Sequence, residues 1–295
     1  MRNGLRIFVL AIGLAASLGA AAGHAGSLIE FPNLADRVPA KLRGYLARPD
    51  AGLSGMLGHS NQTGPYPAVV VLHGCSGISS HSAKIADRLG SWGYVALTVD
   101  GLGSRDITSG CGGRSLDQAF DAYAALHYLS QLDFVDPARV AVLGQSMGGS
   151  AVLYAVDRDL GAQYFEERFR AAIAYYPNCV PEASMTAPTL VLIGEADEWN
   201  QAEQCREMVK HARADGATIA LTVYPGVHHA FDVAELTPGM RSLGRWIEYN
   251  GPATKDAEKK VRAFLAANLD GPSMDEPTKS GRPPHSPMAR WEIGA

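Results

Sequence analysis

Ser146, Asp197 and His229 are of the three residue types that acyl transfer needs, and they occur in that order along the chain. A serine hydroxyl is a weak nucleophile near neutral pH. It attacks a carbonyl only when a base takes its proton and a third group holds that base in the right tautomer. Ser146 lies in Gly144-Gln145-Ser146-Met147-Gly148-Gly149, directly after the apolar run Arg139-Val140-Ala141-Val142-Leu143. A buried strand that turns through Gly-x-Ser-x-Gly into a helix presents the hydroxyl at the tip of a strained bend. The flanking glycines are required because a side chain there would collide with the neighbouring strand or helix. Met147 to Val156 continues with small and then apolar residues, as a buried helix would.

The partners are expected on loops at the carboxyl ends of later strands, the acid before the histidine. Asp197 closes Gly194-Glu195-Ala196-Asp197 after the run Thr189 to Ile193, and His228-His229 follows the run Ile219 to Tyr224. The separations, 51 residues (197 minus 146) and 32 residues (229 minus 197), each fit a strand and a helix with loops. Glu195 is a second candidate acid, ranked below Asp197 because it lies nearer the strand. An oxyanion also needs donors. The backbone N–H of Met147 is one, and the N–H of Cys75, in His73-Gly74-Cys75-Ser76-Gly77 after the run Ala68 to Leu72, is the other candidate. His73 itself reads as a buried structural histidine.

These loops need a sheet to carry them. Apolar, β-branched runs recur at Ala68 to Leu72, Tyr94 to Val99, Val140 to Leu143, Ala171 to Tyr176, Thr189 to Ile193 and Ile219 to Tyr224, with helix-like segments between them. Near-continuous apolar runs are what a parallel sheet covered on both faces requires, so the chain reads as α/β and doubly wound. Lys41 to Arg48 is expected to supply antiparallel edge strands, and Gly52 to Pro67 reads as loop. Helices are expected over His81 to Trp92, Leu116 to Leu129 and Thr254 to Asn268, each with apolar residues at helical spacing. Residues 271–295 have a composition too poor in apolar side chains for a compact core and read as a disordered tail.

Residues 1–25 read as an export signal, with Arg2 and Arg6 ahead of an apolar stretch from Ile7 to Ala22 and small residues at Ala20, Ala22, Gly23 and Ala25. The domain is then residues 26–270. The formal net charge of −4 becomes −6 once those two arginines are removed (−4 minus 2), and no basic run is present, which argues against nucleic acid as a partner. Four cysteines, Cys75, Cys111, Cys179 and Cys205, allow three disulfide connectivities in an exported chain. No Cys-x-x-Cys or His-Glu-x-x-His spacing occurs, so no metal site is expected.

Four segments together resemble the dienelactone hydrolase family of α/β-hydrolases, over about residues 40 to 269. They are Val-Val-Val-Leu-His-Gly-Cys-Ser-Gly at 69 to 77, Gly-Gln-Ser-Met-Gly-Gly at 144 to 149, Gly-Glu-Ala-Asp at 194 to 197 and Tyr-Pro-Gly-Val-His-His-Ala-Phe at 224 to 231. The resemblance implies an α/β-hydrolase fold and a carboxylic-ester or lactone hydrolase that needs no cofactor. It selects His229 over His228, since the family's histidine lies five residues after the tyrosine and two before the phenylalanine. The family's namesake uses a cysteine nucleophile and a glutamate beside it, where this chain has Ser146 and Gly74. A family arginine for the substrate carboxylate is similar to Arg105, displaced by one position. The implied sheet order pairs Cys75 with Cys111 and Cys179 with Cys205. There is no long insertion before Asp197 to build a large cap, so the site should be fairly open, with the segment Asp232 to Asn250 as one wall. The expected substrate is a small ester or lactone. A peptidase or amidase of similar fold uses the same triad and is the alternative, and a non-catalytic binding protein on this fold is the rival from another class.

Overall fold

The computed structural model describes residues 26–34, 37–49, 65–111 and 115–270. The expected export signal, most of the loop before residue 65 and the C-terminal tail lie outside the described residues. The central sheet has eight strands: β1 (Ser27–Pro32), β2 (Lys41–Ala47), β3 (Tyr66–Leu72), β4 (Val95–Asp100), β5 (Val135–Gln145), β6 (Ala171–Tyr175), β7 (Thr189–Gly194) and β8 (Ile219–Tyr224). Their spatial order is β1-β2-β4-β3-β5-β6-β7-β8. The pairs β1·β2 and β2·β4 are antiparallel and all the others are parallel.

Among the described residues the α-helices are α1 (Ser80–Ser91), α2 (Ser115–Ser130), α3 (Met147–Val156), α4 (Ala202–Lys210) and α5 (Gly251–Leu269). The chain crosses the sheet one way from β3 to β4 and the opposite way from β4 to β5. Because parallel crossovers are right-handed, this reversal puts α1 on one face and α2, α3 and α4 on the other. Helix α5 returns beside α1, where Arg88 pairs with Glu258 at 2.5 Å. The strands between these layers are buried on both sides: Val69, Val70, Val71, Leu72, Val142 and Val191 are fully inaccessible. The reversal also matters for function. The chain leaves β3 toward one face and β5 toward the other, which opens a crevice at their carboxyl ends.

Ile219–Tyr224 forms a strand over the expected residues, and the other expected strands and helices differ at their ends, except that Lys41–Ala47, expected at the sheet edge, is paired on both sides because β1 takes the edge position. Two elements give weaker sequence signals. Strand β1 is an edge strand in which only Phe31 is buried, and α4 buries only Ala202, Cys205 and Met208. Proline at 137 hides the true start of β5, which begins at Val135 and slips register against β3 between Tyr66 and Ala68. Among the described residues there is no separate cap domain, and no helix is long and apolar enough to cross a membrane.

The cysteines pair as Cys75–Cys111 and Cys179–Cys205, with Cα atoms 4.8 and 5.0 Å apart. The second bridge ties the loop after β6 to α4 across a sequence separation of 26 residues. Closing such a loop removes about 3.5 kcal/mol of unfolded-state entropy in the chain-entropy model. The Cys179→Ser/Cys205→Ser double variant should therefore lose about 2 to 4 kcal/mol of unfolding free energy in urea titrations. A loss below about 1 kcal/mol would show that the bridge is not the main constraint on this loop.

Candidate active site

Strand β5 delivers Ser146 to the crevice through a backbone conformation that only close packing can impose. Ser146 has φ 52° and ψ −115°, its N–H donates to Tyr175 O at 2.9 Å, and its carbonyl accepts Ser150 N at 2.9 Å. A non-glycine residue at positive φ costs about 1 to 3 kcal/mol and persists where its surroundings over-determine it. The neighbouring glycines are what permit the bend. A Cβ on Gly144 would sit 2.2 Å from Gly148 O, and one on Gly148 2.4 Å from Leu72 O. Strand end, turn and helix start are thus in backbone contact.

Two loops bring the partners to this point. His229 Nε2 lies 2.9 Å from Ser146 Oγ, and His229 Nδ1 lies 2.7 Å from Asp197 Oδ2. The carboxylate can only accept when ionised, so Nδ1 carries the hydrogen and Nε2 is left to take the serine proton. Asp197 is fixed from its other side, where Oδ1 accepts the backbone N–H groups of Trp199 at 2.8 Å and Asn200 at 2.9 Å. Both Asp197 and His229 are buried. The two competitors face elsewhere. Glu195 is exposed and pairs with Arg206 at 3.1 Å, while His228 Nδ1 donates to Ala196 O at 2.9 Å.

The loop after β3 reaches the same place. Cys75 is held there by its bridge to Cys111 and by Gly110 N, which donates to Cys75 O at 2.8 Å; Gly77 N closes the turn onto Gly74 O at 3.1 Å. Met147 opens α3, immediately after the serine. A Cβ on Gly74 would come 3.8 Å from the Ser146 Cβ, so a side chain at 74 would face Ser146, and glycine leaves that space open. His73 is fully buried with Nδ1 2.7 Å from Gly74 O. Burial, the largest influence on it, holds its imidazole below the ordinary histidine range.

Arg105 does not present a free guanidinium. Its Nη1 and Nη2 donate to the two carboxylate oxygens of buried Asp121 at 2.8 and 2.7 Å, and Nη1 also donates to Gly101 O at 2.7 Å. A substrate carboxylate would have to compete with that bidentate pair.

Other residues near His229 were not apparent from spacing. The Tyr176 ring meets the imidazole edge-on at 4.6 Å between centroids, and Trp199 stacks on it at 5.7 Å. The segment expected as a wall forms a hairpin, β9 (Met240–Ser242) and β10 (Arg245–Ile247), that docks on both partner loops. Trp246 N donates to Glu198 Oε2 at 2.9 Å, Arg245 lies over the Trp199 ring at 5.0 Å, and Ile247 bridges to His229. Aromatic residues two past an acid or one past a strand have no motif to mark them. Among the described residues no group of three or more His, Cys, Asp or Glu side chains is placed to hold a metal ion.

A family profile described as "Dienelactone hydrolase family" matches residues 53–269. The chain belongs to the dienelactone hydrolase family. An uncharacterised protein of Mycobacterium tuberculosis is 33% identical over 186 residues, 56% of this chain and 64% of the relative, so the chain spans just under two thirds of that protein's length. A candidate carboxymethylenebutenolidase of Yersinia pestis is 27% identical over 228 residues, covering 68% of this chain and 77% of the relative. Among solved structures, a dienelactone hydrolase-like promiscuous phosphotriesterase from metagenomic libraries superposes with a TM-score of 0.65 at 19% identity, over 83% of this chain and 99% of that one. At that identity the likeness speaks to the fold. Within the family, this member carries serine at the elbow and glycine at position 74.

His73 gives a test of how tightly the loop after β3 is packed. An imidazole whose folded pKa is depressed contributes stability that is present above the unfolded value of about 6.5 and is lost as pH falls toward the folded value, because the unfolded chain then binds the proton. The stability difference between wild type and His73→Asn should therefore shrink as pH is lowered from about 7 to about 5 in denaturation experiments. A difference that stays constant or grows would contradict a neutral, desolvated His73.

Proposed function

We propose that the chain is an exported carboxylic-ester hydrolase that cleaves small esters or lactones through a Ser146–His229–Asp197 triad and an acyl-enzyme. The observation that carries this reading is the unbroken line from Asp197 Oδ2 through both ring nitrogens of His229 to Ser146 Oγ, at 2.7 and 2.9 Å, on an elbow. Ser146 Oγ attacks the ester carbonyl as His229 Nε2 takes its proton. Asp197 keeps Nδ1 protonated and stabilises the imidazolium. The oxyanion forms opposite the N–H groups of Met147 and Cys75, and His229 returns its proton to the departing alkoxide, which remains tethered if the substrate is a lactone. Water then repeats the sequence on the acyl-serine. These steps call on no cofactor.

A serine nucleophile and the open space beside Gly74 favour ordinary esters over substrates that need a thiolate. The name of the Yersinia pestis relative supports lactone or ester chemistry. Arg105, engaged by Asp121, is not assigned a substrate contact. Export to an oxidising compartment is supported by the two disulfides and by the N-terminal composition.

Purified wild type should be labelled by a fluorophosphonate probe and should hydrolyse p-nitrophenyl acetate. Ser146→Ala should lose labelling and at least about 10⁴-fold in kcat, Asp197→Asn about as much, and Glu195→Gln should stay within about 3-fold of wild type. Turnover that survives in Ser146→Ala would overturn the proposal.

A further inference from the structure

Behind the triad lies a buried carboxylate that acyl transfer does not use. Asp232 follows His229 by three residues, and its side chain is 8% exposed. Its Oδ1 accepts the Tyr176 hydroxyl at 2.6 Å, and its Oδ2 meets Gln145 Nε2 at 2.6 Å and His81 Nε2 at 3.1 Å. Burial pushes this carboxyl up, but the hydrogen bond and charge of His81, with the Tyr176 and Gln145 donors, outweigh it and hold the group below the usual carboxylate range. A buried anion persists only when its lone pairs are met in this way.

Two of these donors lie where the triad is built. Gln145 immediately precedes the nucleophile. Tyr176, just after β6, reaches both partners. Its carbonyl accepts Asn200 Nδ2 at 2.8 Å, and Asn200 N is one of the two donors on Asp197 Oδ1. Its ring edge meets the His229 imidazole at 4.6 Å. Its backbone sits at φ 36°, a left-handed conformation that a bulky side chain adopts only when held there. Burial, then the charge of Asp232, pushes the Tyr176 hydroxyl well above the phenol range, so it stays protonated and donates.

We infer that Asp232 is a positioning residue for the proposed hydrolysis: it clamps the Tyr176 hydroxyl so that the Tyr176 ring holds the His229 imidazole in line between Ser146 and Asp197. The inference rests on the triad reading. Hydrogen bonds at both nitrogens set the ring's ends but leave its tilt and its swing away from serine to the packing around it, which Tyr176 and Trp199 supply. A misplacement of about 1 Å at a reacting group costs on the order of 10²-fold in rate.

A cluster that served only to tie loops to the sheet would lower stability without changing the rate per folded site. The test is steady-state hydrolysis of p-nitrophenyl acetate, normalised to sites titrated with a fluorophosphonate, in Asp232→Ala, Asp232→Asn, Tyr176→Phe and the Tyr176→Phe/Asp232→Ala double variant. Asp232→Ala should lose about 10- to 100-fold in kcat with KM within about 3-fold, and Tyr176→Phe a smaller part of the same loss. In the Asp232→Ala background Tyr176→Phe should cost nothing more, since both remove one clamp. Asp232→Asn should recover most of the rate, because its amide oxygen accepts from Tyr176 while the Gln145 amide turns to accept from the new NH₂ group. Losses that add in the double variant would overturn the inference, and so would a wild-type kcat per titrated site in Tyr176→Phe, an outcome that needs no folded Asp232→Ala protein. Failure of wild type to label at Ser146 would count against the triad reading itself, which separates the two claims.

Discussion

The backbone reversal at Ser146 is the constraint on which the rest of the site depends. For the hydroxyl to stand clear of the sheet, β5 must end and α3 must begin within one residue, at φ 52°. That is possible only because Gly144 meets the Gly148 carbonyl, and Gly148 the Leu72 carbonyl, with no room for a Cβ. The same contact fixes the distance between the ends of β3 and β5. It therefore sets where the Cys75 turn lies relative to Ser146, and the Cys75–Cys111 bridge holds that turn from the far side. A site built on strand ends and backbone contacts is positioned more tightly than one on free loops.

Electrostatics completes what the backbone begins. Two carboxylates are buried near His229, and their environments separate their tasks. Asp197 has one oxygen saturated by two backbone N–H groups and the other aimed at the imidazole. Asp232 spends both oxygens on side-chain partners, Tyr176, Gln145 and His81. Asn200 and Tyr176 link the two through a shared carbonyl contact. A further buried carboxylate, Asp121, is matched to Arg105 and belongs to the scaffold beneath the β4 loop.

Much of this was legible in the sequence because the strands that carry the site are buried on both faces and so read as unbroken apolar runs, with each functional residue at a run's end. Ser146, Asp197 and His229 stand out for that reason, and the sheet order implied by family resemblance pairs the cysteines as the structure does. What was not legible depends on contacts between segments distant in sequence. Tyr176 and Trp199 look like ordinary aromatic residues until the His229 loop lies against them. Arg105 sits near the position of a substrate-binding arginine, but Asp121, 16 residues on along the chain, claims its guanidinium. The β9–β10 hairpin was hidden because its turn places Leu243 at φ 49° and Gly244 at φ 81°, where asparagine-glycine would have announced it.

In the proposed mechanism Ser146 is the residue acylated during turnover. The most direct measurement is peptide mass spectrometry on wild-type protein quenched in acid while it hydrolyses an activated ester. One acyl group is expected on the peptide that contains Ser146 and none on the same peptide of Ser146→Ala. Continued hydrolysis with no acyl adduct, or with the adduct on another residue, would contradict it.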